Sequence, residues 1–108
     1  MDAFELAELT AERRESGERF LEFLRSDTLS VGVYELPAGD TDPQQPHTED
    51  EVYYVVRGRA VVEVGEEARE VAPGTVVFVG AGVEHRLHSI VEDLTLLVVF
   101  APPRGALA

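Results

Sequence analysis

From Leu29 to Phe100 the chain is a succession of short β-type runs, each stopped within a few residues by glycine, proline or acidic turn residues. "LSVGVYEL" alternates and ends at "PAGDTDPQQP", a loop dense in proline, glycine and aspartate. "EVYYVV" reads as a strong strand, and "RGR" places Gly58 in a turn leading to "AVVEV". "GEE" turns into "AREVA", "PG" punctuates, and "TVVFV" follows before "GAG" breaks the chain. "EHRLHSI" resumes it, and "LTLLVVF" is a continuous apolar run suited to a buried strand. Helices do not alternate with these runs, so a parallel sheet with crossover helices is excluded. An antiparallel sandwich or barrel remains, because closure removes exposed strand edges.

The preceding segment is different. "AFELAELTAERR" repeats apolar residues at helical spacing and predicts a short helix. "SGERFLEFLRSDTLS" fits either a helix or a strand, because Phe20, Leu21, Phe23 and Leu24 satisfy both periods. "APPRGALA" reads as a frayed end.

Composition bounds the chemistry. The 108 residues suffice for one domain, taken as 1–108, with no room for a second core. Cysteine is absent, which excludes disulfides, thiolate ligands and thiol nucleophiles. Any metal has to be held by imidazole, carboxylate, amide or water. The net charge of −12 argues against nucleic acid and against anionic membrane surfaces, both of which need a basic patch. The nine basic residues are all arginine. The N-terminus is acidic where a signal peptide begins with positive charge, and no apolar run reaches a membrane span, so the expected location is cytoplasmic.

The three histidines, His47, His85 and His88, are the natural starting point for a site. Residues two apart in an extended chain share a face, so Gln45 and His47 point the same way. Glu51, at the start of "EVYYVV", can join them after a short loop. With His85 from a later strand, two imidazoles and a carboxylate can occupy one face of an octahedron, leaving positions open for water, substrate or dioxygen. His88 differs from His85 in parity and is expected to face away from it. Glu49 and Asp50 read as solvated loop acids, and Arg57, Arg59 and Arg86 as outward-facing surface residues in preference to contacts for an anionic substrate. Tyr53, two residues beyond Glu51, is expected inside, either as ordinary core or as a pocket residue.

The spacing of these residues resembles the cupin superfamily, whose two motifs are G-x5-H-x-H-x3,4-E-x6-G and G-x5-P-x-G-x2-H-x3-N. Gly39, Gln45, His47, Glu51 and Gly58 keep the first spacing, with Gln45 where the family places a histidine. Gly74, Gly80, Gly82, His85 and Ser89 keep the second, with Gly80 and Ser89 in place of proline and asparagine. The resemblance implies an all-β fold, a small antiparallel cupin-type barrel with a short N-terminal helix or extension and a core over about 29–101. Expected strands lie near 29–36, 51–57, 59–65, 68–72, 75–79, 84–90 and 94–101, with residues 19–25 adding one at the edge. Gly39, Gly58, Gly74 and Gly82 are expected as turn residues.

It further implies a divalent metal ion held by His47, Glu51 and His85, with Gln45 as a weaker ligand; Fe or Mn is expected ahead of Zn or Ni. The leading functional expectation is a metal-dependent enzyme, dioxygenase- or isomerase-like, acting on a small organic molecule, with Glu51 as either ligand or base. The alternative is a non-catalytic sensor or stabiliser that binds a metal or small ligand. Partners are expected to be a small molecule and a second copy of the chain in a homodimer.

Overall fold

Val, Tyr and Leu residues dominate two long runs of the chain, and these runs form the two strands on which the rest of the fold is laid. The computed structural model describes residues 1–42 and 46–106. A helix, α1 (Leu6–Ser16), precedes six strands: β1 (Phe20–Arg25), β2 (Ser30–Leu36), β3 (Asp50–Val64), β4 (Glu67–Val71), β5 (Val76–Val79) and β6 (His85–Ala101). The ambiguous segment around Phe20 is therefore a strand. All pairings are antiparallel, in the order β1-β2-β6-β3-β4, with β5 also on β3.

Two expected breaks are absent. Residues 51–57 and 59–65 are one strand, as are 84–90 and 94–101. Gly58 is not a turn residue but sits in mid-strand at φ 97°, where the register of β3 against β6 slips between Arg57 and Arg59. Such a bulge reverses which face the following residues take. Before it, Glu51, Tyr53 and Val55 are buried; after it, Ala60 and Val62 are. Unbroken alternation would instead have turned Arg57, Arg59 and Glu63 inward. β6 makes the same change: His85 and Leu87 are buried ahead of Ser89, then Ile90, Leu94, Leu96, Val98 and Phe100 behind it. Ser89 has φ 50° and is the non-glycine residue with positive φ among the described residues. The family motif's asparagine at this position is the residue that best tolerates that backbone after glycine.

Because both long strands bend, each serves two parts of the sheet. The first half of β3 lies between β5 and the second half of β6, and its second half between β4 and the start of β6. The inward faces form one core that includes Tyr34, Leu36, Tyr53, Val62, Leu87, Leu94, Leu96 and Phe100.

The helix lies outside this core. Its one buried residue is Leu9, and Gly17 ends it in the left-handed conformation. A single apolar anchor is weak for an 11-residue helix, so polar contacts carry much of the docking. Arg13 donates through Nε to Glu35 at 2.7 Å and through Nη1 to the Glu18 carbonyl at 2.7 Å. Glu35 also accepts the Thr95 hydroxyl at 2.6 Å. Burial raises the Glu35 pKa, but the bonds from Thr95 and Arg13 outweigh it, and the carboxyl is held below its ordinary value of 4.5.

Two outcomes follow from these contacts. A Cβ at Gly58 would lie 2.4 Å from the Asp93 carbonyl oxygen and 2.7 Å from Leu94 Cα, both backbone atoms. Gly58→Ala should therefore cost at least about 2 kcal/mol in chemical denaturation, while Ser89→Asn should be neutral or stabilising by up to ~1 kcal/mol. The depressed pKa of Glu35 contributes stability that is present above pH 4.5 and lost as pH falls through its folded value. Glu35→Gln should lower stability by roughly 1.5–3 kcal/mol at neutral pH, and the gap to wild type should close in acid; a gap that persists unchanged at low pH would contradict this account.

Candidate metal centre

Glu51 is the first inward residue of β3, and His85 the first of β6. On the ladder these residues are far apart, Glu51 opposite Phe100 and His85 opposite Val64. They meet because the sheet folds over on itself, bringing His85 Nε2 to 3.1 Å from Glu51 Oε2. His47 completes the group from the loop before β3, its Nε2 3.9 Å from the same oxygen. Donor atoms of the three residues all lie within 4.8 Å of one another.

Backbone contacts hold the loops in place. The Gly82 N–H donates to the His47 carbonyl at 2.6 Å, and the Ala81 N–H to Asp50 Oδ1 at 3.0 Å. Gly82 has φ 76°, a turn geometry that glycine adopts without strain and that aims its N–H at the opposite loop. The His47 ring stands edge-on to Phe100, with centroids 5.2 Å apart and planes at 86°.

The donor set is suited to a cation. Glu51 is 1% exposed, and among the described residues neither carboxylate oxygen has a hydrogen-bond partner beyond the approach of the two imidazoles. His85 Nδ1 lies 3.0 Å from the Val83 carbonyl. A carbonyl only accepts, so Nδ1 carries the hydrogen and the neutral ring has its lone pair on Nε2. Nε2 and Oε2 then both present lone pairs across 3.1 Å, and either a proton or a metal ion has to lie between them. An imidazole with its outer nitrogen bonded to a backbone carbonyl is also the usual arrangement of a metal-ligating histidine.

The two rings differ electrostatically. Burial disfavours charge on His85, but the bonds to Glu51 and Val83 and the charges of Glu51 and Asp42 outweigh it, and its pKa is raised. Burial dominates at His47, with the charges of His85 and Arg104 adding to it against Glu51, and its pKa is lowered.

The remaining expected residues divide clearly. His88 faces away as expected, half-buried and bonded through Nε2 to Glu63 at 2.9 Å. Arg57, Arg59 and Arg86 are exposed, with Arg59 paired to Glu92 and Arg86 to Glu63. Asp50 is exposed, but Glu49 is not the solvated acid expected: it is 3% exposed and accepts the Thr48 hydroxyl. Tyr53 is core, 1% exposed, its ring 6.2 Å from that of His85. Gln45, the weaker expected ligand, lies outside the described residues.

A cavity of about 70 Å³ opens beside the group, lined by Phe20, Tyr34, His47, Glu51, Val98, Phe100 and Arg104. Two residues near the group, Asp42 behind the lining Tyr34 and Arg104 in the lining itself, have no signal in the sequence pattern. Asp42 is buried and accepts the Tyr34 hydroxyl at 2.7 Å. Arg104 belongs to the expected frayed end, which is instead anchored: Pro103 is buried, the Arg104 N–H donates to Ser30 Oγ at 3.0 Å, and its carbonyl accepts from Arg25.

Residues 32–100 match the sequence profile of the cupin domain. The chain is 56% identical over 105 residues to the uncharacterized protein SCO3923 of Streptomyces coelicolor, covering 97% of this chain and 100% of that one. Among solved structures, TT1209 from Thermus thermophilus aligns with a TM-score of 0.78 and 31% identity over 95% of this chain and 99% of that one. The DMSP lyase DddQ from Ruegeria pomeroyi aligns with a TM-score of 0.70 and 27% identity, over 86% of this chain but 50% of the lyase.

In ion-free protein, an NMR titration should find His85 losing its proton above pH 6.5 and His47 below it. Glu51→Gln should lower the His85 midpoint; the opposite order of midpoints in wild type would refute the arrangement described.

Proposed function

The chain belongs to the cupin family, and on that premise we propose that His47, Glu51 and His85 hold a divalent metal ion, Fe or Mn ahead of Zn or Ni, at which a small organic molecule is bound and transformed. One observation carries this reading: a buried carboxylate that two imidazoles approach and that has no other hydrogen bond among the described residues. A nitrogen and oxygen donor set without thiolate favours the harder first-row ions. When bound, such an ion supplies Lewis-acid polarisation of a ligand oxygen.

The protein's own residues do the rest. The Val83 carbonyl fixes the His85 tautomer, and the Phe100 ring edge fixes the pose of His47. Phe20, Tyr34, Val98 and Phe100 keep the cavity largely apolar, which strengthens electrostatic contacts made inside it. Glu51 serves as a ligand or, released, as a base within reach of a bound molecule. Oxygenation and isomerisation are the expected chemistries, and the likeness to a DMSP lyase adds elimination to the reactions worth assaying. A second reading, a non-catalytic metal-dependent binding module, is favoured by the cavity's volume of about 70 Å³, room for only a few non-hydrogen atoms. A cytoplasmic homodimer belongs to the same proposal. Its support is the exposed Val76 and Phe78 of β5, a strand that pairs only with β3 among the described residues. The lack of any described helix long and apolar enough to cross a membrane is compatible with it.

Protein purified without chelators should contain about one ion per chain by elemental analysis, or take up Fe or Mn with a rise in thermal midpoint. Its light-scattering mass should be that of two chains. His47→Ala, His85→Ala and Glu51→Gln should each reduce metal affinity at least ~10-fold while the protein stays folded. No uptake of Fe, Mn, Ni or Zn by folded wild type would remove the metal reading. Turnover in a panel of diols, keto acids and sulfonium compounds would select the enzyme over the binding module.

A further inference from the structure

Arg104 occupies an unusual position for a cation in so acidic a chain. Of the nine arginines, Arg13, Arg14, Arg19, Arg25, Arg59 and Arg86 are within ion-pair distance of a carboxylate. Among the described residues Arg57, Arg69 and Arg104 have no such pair, although acidic residues outnumber basic ones 21 to 9, and of these three it is Arg104 that lines the cavity with His47 and Glu51. Its backbone is fixed by Ser30 and Arg25. Its guanidinium lies 4.9 Å from the Phe20 ring centroid and 5.7 Å from that of Phe100. The side chain is thus held over the cavity that contains His47 and Glu51. A guanidinium stacked on aromatic rings keeps its in-plane N–H groups available, and that fork matches a carboxylate.

We propose that the cavity takes a small organic carboxylate, its carboxylate group on the Arg104 guanidinium and its carbon skeleton against Phe20, Val98 and Phe100. The small volume selects a short skeleton, and the apolar wall selects a hydrocarbon part over a second charge. The inference rests on the metal reading in one respect: an ion at Glu51 offsets the negative charge that would repel an anionic ligand. Arg104 then decides the class of ligand, because a neutral compound of the same shape gains nothing from it.

Propionate and its neutral counterpart propionamide test this by NMR or calorimetric titration of metal-loaded and chelator-treated protein, with metal content measured on the same samples. Propionate should bind wild type more tightly than propionamide, and more tightly with metal than without. Arg104→Gln should weaken propionate about 10- to 100-fold, leave propionamide unchanged and leave metal content unchanged. Arg104→Lys, which keeps the charge but not the fork, should recover part of the loss. Preserved amide spectra in both variants separate lost recognition from lost folding. Equal binding of acid and amide, no binding of propionate, or indifference to Arg104→Gln in folded protein overturns the inference whatever the metal content. Absent metal uptake with propionate binding that still requires Arg104 removes the metal reading and leaves this one standing.

Discussion

The fold depends on two residues whose backbone lets a long strand change faces. Gly58 in β3 and Ser89 in β6 each adopt positive φ in mid-strand, and each marks where the buried positions switch parity. Without the switch, a strand that begins with Glu51, Tyr53 and Val55 inside would continue with Arg57 and Arg59 inside, at a desolvation cost no ion pair in so small a core would recover. With it, one strand supplies a polar site at its start and an aliphatic floor at its end. The close approach of the Asp93 and Leu94 backbone to Gly58 shows that the two strands bend against each other there.

That bend sets the chemistry. Glu51 and His85 both lie at the beginning of strands that run antiparallel, so a flat sheet would hold them at opposite ends of the ladder. Folding the sheet at the bulges superimposes those ends, and the barrel's mouth becomes the place where buried polar groups from distant sequence converge. The helix stays outside this event, attached through Arg13 to Glu35, which also accepts from Thr95. β1 does not: it pairs with β2 and sends Phe20 into the cavity wall beside His47 and Glu51.

Much of the site is legible in the sequence because motif spacing encodes it. His47, Glu51 and His85 come together as the joint spacing implies, and His88 faces out as its parity requires. The strands themselves follow from β-branched runs and turn residues, but Gly58 reads wrongly because a glycine between two arginines signals a hairpin as strongly as it signals a bulge. Periodicity carries no sign of a positive φ at a serine, so Ser89 is legible only through the motif. Glu49 and Asp42 are buried by tertiary contacts that a local reading of loop acids does not contain. Arg104 escapes for the same reason: its tail is held by Ser30 and by two aromatic rings from elsewhere in the chain.

The hydrogen bond from Gly82 to the His47 carbonyl has a consequence for how the protein acquires its site. His47 has no strand of its own to fix it; its place is set by a loop that arrives later in the chain. During synthesis the first half of the donor group therefore emerges without a template and stays undefined until the segment around Gly82 has left the ribosome and the two loops have joined. The three side chains come within reach of one another only once both loops are in place, so the group is a product of tertiary folding rather than of any local segment.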